Sequence, residues 1–282
     1  MAPILGVRAH PLHPAWTKWK RASPALKRVD RAIVKWRKQH LGKFSTKTDH
    51  ATGEDVVYAR MSGTPGPTWP FAIGEVIYGY RCALDYLYFV LVIHKHGDPP
   101  PAQIEKAAQF PIIHKPGWKF DRSKARQFVD SPVVDWLEQI QPDKGPKYEP
   151  LRDLAVLSNF DKHRRLVLVA GGIIDSDVTV KIIRGCRLVR PPTPFRGPVV
   201  DRQEISRFMV EPTGPNHAYV VNGRFASDVV FGQNTPLAGK PVIRTLHDIR
   251  VLVGELLLEA EKMFLPPWKP PRWVVVRRRR SP

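Results

Sequence analysis

The hydrophobic pattern of this chain changes from a helical to a strand period near residue 166, and that change restricts the class of fold. Before it, apolar residues recur every three or four positions, with the strongest helical patterns at about 71–94 and 150–165. After it, runs rich in β-branched residues alternate with glycine and proline turns until about 231. A helical pattern returns at about 241–264. The order predicts an α+β fold, in which a bundle of these three helices packs against an antiparallel sheet from about 166–231.

The excess positive charge lies at the two ends of the chain. There are 45 lysines and arginines against 26 aspartates and glutamates, a formal net charge of +19. Residues 1–50 carry 12 basic and 2 acidic side chains, and residues 266–282 carry 6 and none, so residues 51–265 are nearly neutral. We therefore expect three segments: a basic N-terminal segment with one helix, an α+β core, and a tail rich in proline and arginine.

This distribution of charge favours an anionic partner that is bound by the end segments. Nucleic acid is the first expectation, RNA before DNA, and an anionic membrane surface is the second. A protein-interaction module that binds an acidic partner is a further alternative.

The N-terminal segment contains a basic amphipathic helix, which Ser23-Pro24 is expected to start and Gly42 to stop. Its polar side is almost wholly basic and has tryptophans nearby. Such a helix is either a packing helix with a solvated face or a surface that follows phosphates. The candidate nucleic-acid-binding residues of the chain are Lys27, Arg31, Lys35, Lys38, Lys162, Arg164, Arg165, Arg277, Arg278, Arg279 and Arg280.

Charged residues also occur where the pattern predicts a buried helix. Arg81 and Asp85 lie four apart in the most apolar helix, and the run Asn159–Arg165 ends the next strong helix. Because an unpaired buried charge is very unfavourable, we expect the two segments to meet, with Arg81 facing Asp161 in a bidentate pair. A structural ion-pair cluster is the first interpretation, since such networks commonly fix helix packing.

The second interpretation is a catalytic site for metal-independent cleavage of RNA. His163 would act as the general acid and base, Asp161 or Asp85 would orient its imidazole, and Arg81 would complete the cluster. The basic neighbours of His163 would hold phosphate. This chemistry needs no cofactor, and the sequence has no cysteine or histidine spacing typical of a metal site.

Three segments resemble a family of bacterial proteins that is frequent in actinobacteria. Tyr80–Leu87 (YRCALDYL), Phe110–Ile112 (FPI) and Asn159–Arg164 (NFDKHR) match its NLRSALDHL, FPI and N-x-DKHR segments in order and spacing, within residues 70–265. The resemblance implies no particular activity.

The first of these helices also resembles the helical HEPN ribonuclease superfamily, which has an Arg-x(4–6)-His active-site pattern. Arg81 matches the arginine, but Tyr86 replaces the histidine and Gly79 stands where asparagine is usual. A tyrosine has a pKa of about 10 and does not replace histidine as a base at neutral pH. This departure counts against an active HEPN ribonuclease, unless His163 supplies the imidazole.

The remaining features indicate a soluble cytoplasmic protein. The N-terminus lacks the apolar core of a signal peptide, and the charges of the apolar helix oppose insertion into a bilayer. We expect no integral membrane association, and the sequence leaves the oligomeric state open, a homo-oligomer included.

Overall fold

The computed structural model describes residues 10–40, 42–61, 63–115, 117–161, 166, 168–174, 178–195, 197–222 and 226–265. Within these ranges it contains helices and antiparallel strands, so the predicted α+β class is confirmed. The helices are α1 (His13–Gln39), α2 (Trp69–His96), α3 (Ala102–Ala107), α4 (Arg122–Phe128), α5 (Ser131–Gln139), α6 (Glu149–Asp161) and α7 (Val242–Phe264). The strands are β1 (Lys43–Asp49), β2 (Glu54–Arg60), β3 (Leu168–Ile174), β4 (Thr179–Arg184), β5 (Cys186–Arg190), β6 (Gly197–Val200), β7 (Glu204–Pro212), β8 (Ala218–Asn222) and β9 (Ala226–Phe231).

The strands of the described residues form three antiparallel sheets rather than the single sheet that we expected. Their orders are β1-β2-β7-β5, β6-β3-β9 and β4-β8. Strand β1 was not predicted, because its exposed lysines and threonines show no alternation of apolar residues. It joins the sheet through pairing with β2, from Lys43 opposite Arg60 to Asp49 opposite Glu54. Backbone pairing therefore recruits a strand that the hydrophobic pattern does not mark.

Helix α1 starts at His13, ten residues before the predicted start, and Pro24 lies inside it. Proline removes one backbone hydrogen bond, which makes Ser23-Pro24 a plausible helix start when only local sequence is considered. Packing outweighs this local signal. The indole of Trp19 donates to the carbonyl of Arg250 on α7 at 2.9 Å, and that of Trp16 donates to Glu261 at 3.1 Å.

The chain divides into two compact units. The helical unit comprises the described residues of Met1–Ser23, Val76–Val156 and Asp248–Pro282, and the strand unit those of Pro24–Glu75 and Leu157–His247. The strand unit has an apolar cluster around Val57, Ile205 and Phe208. The predicted segment boundaries near residues 50 and 265 follow the charge along the sequence and stay a prediction.

Helix α2 is long and apolar enough to cross a membrane by length and composition alone. Core helices of soluble proteins pass the same test, and 56% of its most apolar window is buried inside the protein. The finding is weak support for a membrane span, and the expectation of no integral membrane association stays a prediction.

Candidate nucleic-acid interface

Arg81 and Asp85 of α2 form hydrogen bonds to the backbone of Phe110 in the FPI segment. Arg81 donates from Nε and Nη2 to the two carboxylate oxygens of Asp85, at 3.2 and 2.9 Å, and from Nη2 to the carbonyl of Phe110 at 2.8 Å. Asp85 in turn accepts the backbone N–H of Phe110 at 3.0 Å. Phe110 is only 1% exposed, and its backbone N–H and C=O are thus both satisfied by the Arg81–Asp85 ion pair.

The side chain of Gln141 forms hydrogen bonds to the backbone of Pro111, within the FPI segment, and of Ile113, directly after it. Its side chain is fully buried, accepts the N–H of Ile113 at 2.9 Å, and donates to the carbonyls of Pro111 and Leu137 at 3.2 and 2.7 Å. We call Arg81, Asp85 and Gln141 the FPI clamp. Gln141 was not predicted, although a glutamine directly after the apolar face of a helix, beside Leu137 and Ile140, is a signal of a satisfied core amide.

The contacts of Arg81 correct one prediction. Its bidentate partner is Asp85, one turn away on the same helix, in the place that the sequence analysis gave to Asp161. The i, i+4 spacing brings the two groups together without any help from another helix. The contacts of Arg81 and Asp85 therefore support the structural interpretation of this ion pair.

Asp161 lies against a different part of α2. Its Oδ2 is 2.7 Å from where a Cβ on Gly74 would be, so a side chain at position 74 would require this carboxylate to move. Burial raises the pKa of the Asp161 carboxyl above its ordinary value. The predicted catalytic residue His163 and the predicted nucleic-acid-binding residues Lys162, Arg164 and Arg165 lie outside the described residues. The catalytic hypothesis for His163 stays a prediction.

The basic face of α1, which we define as Lys27, Arg28, Arg31, Lys35 and Lys38, is exposed to solvent. Among the residues that the structure describes, none of these five makes an ion pair with an acidic side chain. The one acidic residue on this part of the helix, Asp30, has His247 within 4.0 Å. The charge of this face is therefore available to an anionic ligand.

The tryptophans near these bases belong to the packing of the protein. Trp36 is 7% exposed and stacks on His40 with ring centroids 4.7 Å apart. The ring centroid of Trp19 lies 4.8 Å from the guanidinium carbon of Arg250, and the indole N–H of Trp19 donates a hydrogen bond to the backbone carbonyl of the same residue. The candidate residues Arg277, Arg278, Arg279 and Arg280 of the tail lie outside the described residues.

Exposed aromatic rings occur instead on α2, beside a lysine of α1. Tyr78 and Tyr86 are 60% and 41% exposed, and the ammonium of Lys18 lies 5.5 and 5.9 Å from their ring centroids. These tyrosines were not predicted as binding residues, although their spacing of eight places them on one face of a helix.

The lysine reaches both rings because α1 and α2 approach each other closely at Gly79. A Cβ on Gly79 would lie 2.9 Å from the Cβ of Ala22 and 3.5 Å from the carbonyl oxygen of Lys18. A Cβ at this position would therefore force the two helices apart.

Replacement of Gly79 by alanine tests this approach. We expect a loss of about 1–2 kcal/mol in the free energy of unfolding, since the added methyl forces the helices apart even though alanine is the better helix former. The measurement is urea denaturation followed by circular dichroism. Gly214→Ala is the control, because no atom lies within 4 Å of its Cβ position. Equal stability of Gly79→Ala and wild type would contradict the close approach.

A groove of about 400 Å³ in the strand unit is a second candidate site. Its lining includes Glu54, Arg190, Glu204 and Arg207, and these charges pair with one another. Hydrogen bonds to Glu204 and Asp49 raise the pKa of the Arg207 guanidinium. Its positive charge is therefore already paired with these carboxylates. The groove offers no unpaired charge comparable to the basic face of α1.

The described residues contain no group of histidine, cysteine, aspartate or glutamate side chains that could hold a metal ion. The basic face of α1 and the exposed tyrosines of α2 are the candidate ligand-binding features of the described residues. No family model, curated protein or solved structure matches this chain.

Proposed function

We propose that this protein binds nucleic acid, RNA in preference to DNA, through the basic face of α1. The observation that carries the proposal is a row of five exposed lysine and arginine side chains without acidic partners among the described residues. From Lys27 to Lys38 the row extends about 16 Å along the helix axis. A nucleic-acid strand carries one phosphate for about every 3.4 Å of duplex axis, so the row is long enough to contact several phosphates.

The anchoring of α1 supports this role. Leu26, Val29 and Ile33 are at most 2% exposed, so the opposite side of the helix is in the core. A helix held in this way presents its lysines and arginines at fixed spacing, and little entropy is lost in ordering it when a ligand binds.

The test is the binding of a fluorescently labelled, unstructured RNA, measured by anisotropy over a range of salt concentrations. In the triple variant Lys27→Glu/Arg31→Glu/Lys35→Glu we expect affinity to fall by about tenfold or more. The slope of log K against log salt should become less negative by about 2, because each phosphate contact to a single strand contributes about −0.7. A DNA oligonucleotide of the same sequence measures the preference for RNA.

A matched control separates the surface from the net charge. Lys106, Lys119 and Lys124 are also exposed, and Lys106→Glu/Lys119→Glu/Lys124→Glu changes the net charge by the same amount. We expect this control to keep most of the affinity and of the salt slope. Equal losses in both triple variants would mean that only total charge matters and would refute the proposed surface. Tighter binding of an acidic peptide than of RNA would favour the protein-interaction alternative.

A further inference from the structure

The two exposed tyrosines of α2 have surroundings that differ from those of the core aromatic side chains Tyr80, Phe110 and Trp136 of the helical unit. Tyr80, Phe110 and Trp136 are at most 3% exposed and form its core. Tyr78 and Tyr86 instead direct much of their rings to solvent, and within the described part of the chain neither packs against another ring. Their exposure has no role in stabilising the core, and exposed aromatic groups of this kind commonly contact ligands.

Lys18 gives these rings a specific chemical character. Its ammonium lies within cation–π distance of both centroids, at 5.5 and 5.9 Å, and is held there by the close approach of α1 to α2 at Gly79. A hydrogen bond with Cys82 raises the pKa of the Tyr78 hydroxyl above its ordinary value. The site thus combines two exposed aromatic rings with one positive charge.

We infer that Tyr78, Tyr86 and Lys18 form a base-stacking site that makes unpaired, single-stranded RNA the preferred ligand. Unpaired bases stack on exposed aromatic side chains, whereas the bases of a duplex are already stacked on one another. Lys18 supplies a positive charge beside the rings for the phosphate of a stacked nucleotide. This inference rests on the proposed function, because it names the form of nucleic acid that the protein takes.

The arrangement favours a nucleic acid over other anionic partners. An acidic peptide or an anionic membrane satisfies the charge of Lys18, but only a nucleotide brings a planar aromatic group together with each negative charge. Tyr78 and Tyr86 lie eight residues apart on one helix, about 12 Å along its axis, so each ring can receive its own base.

The experiment compares two RNA ligands, an unstructured single strand of about 20 nucleotides and a blunt duplex of the same length. Binding of each is measured by anisotropy with wild type, Tyr78→Ala, Tyr86→Ala and the double variant. We expect each single substitution to weaken single-strand binding by about fivefold to a hundredfold and to change duplex binding by less than about twofold. Tyr→Phe at either position should keep the affinity, since the ring is retained.

Trp118 provides a matched control. It is 60% exposed, and Lys115 lies 4.5 Å from the centroid of its ring, so it reproduces the lysine–aromatic contact away from α2. Trp118→Ala should leave single-strand binding unchanged. Melting temperatures of all variants should stay within a few degrees of wild type, because the substituted rings are exposed.

The outcomes separate this inference from the proposed function. If the charge reversal on α1 reduces RNA binding but the tyrosine variants bind the single strand normally, the stacking site is refuted and the basic surface stands. Equal losses for the single strand and the duplex in the tyrosine variants also refute the preference for unpaired bases. If wild type binds neither RNA nor DNA, the proposed function and this inference are both wrong.

Discussion

Replacement of Gln141 by glutamate is expected to destabilise the protein by about 3 kcal/mol or more at neutral pH. The two side chains have nearly the same shape, and the carboxylate still accepts the N–H of Ile113. It has no proton to donate to the carbonyls of Pro111 and Leu137, and it places a negative charge opposite both of them in a fully buried position. The measurement is the free energy of unfolding from denaturant titration.

The loss of stability caused by Gln141→Glu should increase as the pH rises. Burial and the two facing carbonyls raise the pKa of the new carboxyl in the folded state above its unfolded value of about 4.3. The folded state then binds the proton more tightly, so stability is lost as the pH rises from the unfolded pKa through the folded pKa. The difference between variant and wild type should therefore be smaller at about pH 5 than at about pH 8.

An exposed glutamine serves as the control for this substitution. Gln139 lies two residues earlier and is exposed, so Gln139→Glu should change stability by no more than about 0.5 kcal/mol. If Gln141→Glu were as stable as this control, the buried amide contacts would be absent, and the FPI clamp would lose one of its three members.

Replacement of Arg81 by alanine is the second substitution with a large expected effect, a loss of about 3 kcal/mol. It leaves the carboxylate of Asp85 without its partner and the carbonyl of Phe110 without a donor. Asp85→Ala should lose about 2–3 kcal/mol, somewhat less because its side chain is 31% exposed. The double variant should lose at least about 1 kcal/mol less than the sum of the two, since the pair acts as one unit.

Hydrogen exchange gives a local measurement for the same clamp. The amide of Phe110 is bonded to Asp85 in the native protein, so its exchange should be much faster in Asp85→Ala under native conditions. Arg187 and Glu211 form an exposed pair, and Arg187→Ala or Glu211→Ala should each change stability by less than about 1 kcal/mol. Additive losses at Arg81 and Asp85, with unchanged exchange at Phe110, would show that the clamp does not form.

These expectations bear on the RNA-cleaving alternative. An arginine that holds the backbone of a buried segment is not free to contact a substrate, and its removal should first be seen as lost stability. His163 is still a testable acid and base. RNA degradation by His163→Ala and wild type, in the presence of a chelator, decides that question independently of Arg81.

Local patterns in the sequence were sufficient to locate the main helices. The pattern for α2 predicted about 71–94 and the helix spans Trp69–His96, and the pattern for α7 predicted about 241–264 and the helix spans Val242–Phe264. Helical periodicity depends on residues within a few positions of each other, so it is readable without the fold. The same spacing rule placed Arg81 and Asp85 on one face of α2, where they pair.

Tertiary structure decided everything that depends on residues distant in the sequence. The sheet order β1-β2-β7-β5 joins strands about 150 residues apart, and nothing local specifies that pairing. Phe110 became the partner of Arg81 and Asp85 because α2 and the FPI segment pack together. Helix α1 extends through Pro24 because its anchoring by Trp19 on α7 outweighs the local preference of proline for a helix start.

The two proposed ligand-binding features differ in the same way. The sequence alone determined that α1 carries a basic face, because charge and helical spacing are local properties. Only the tertiary structure showed that its tryptophans are used in packing, while Tyr78 and Tyr86 are exposed beside Lys18. Whether an aromatic ring is buried or presented to a ligand depends on which helix covers it, and that is decided by long-range packing.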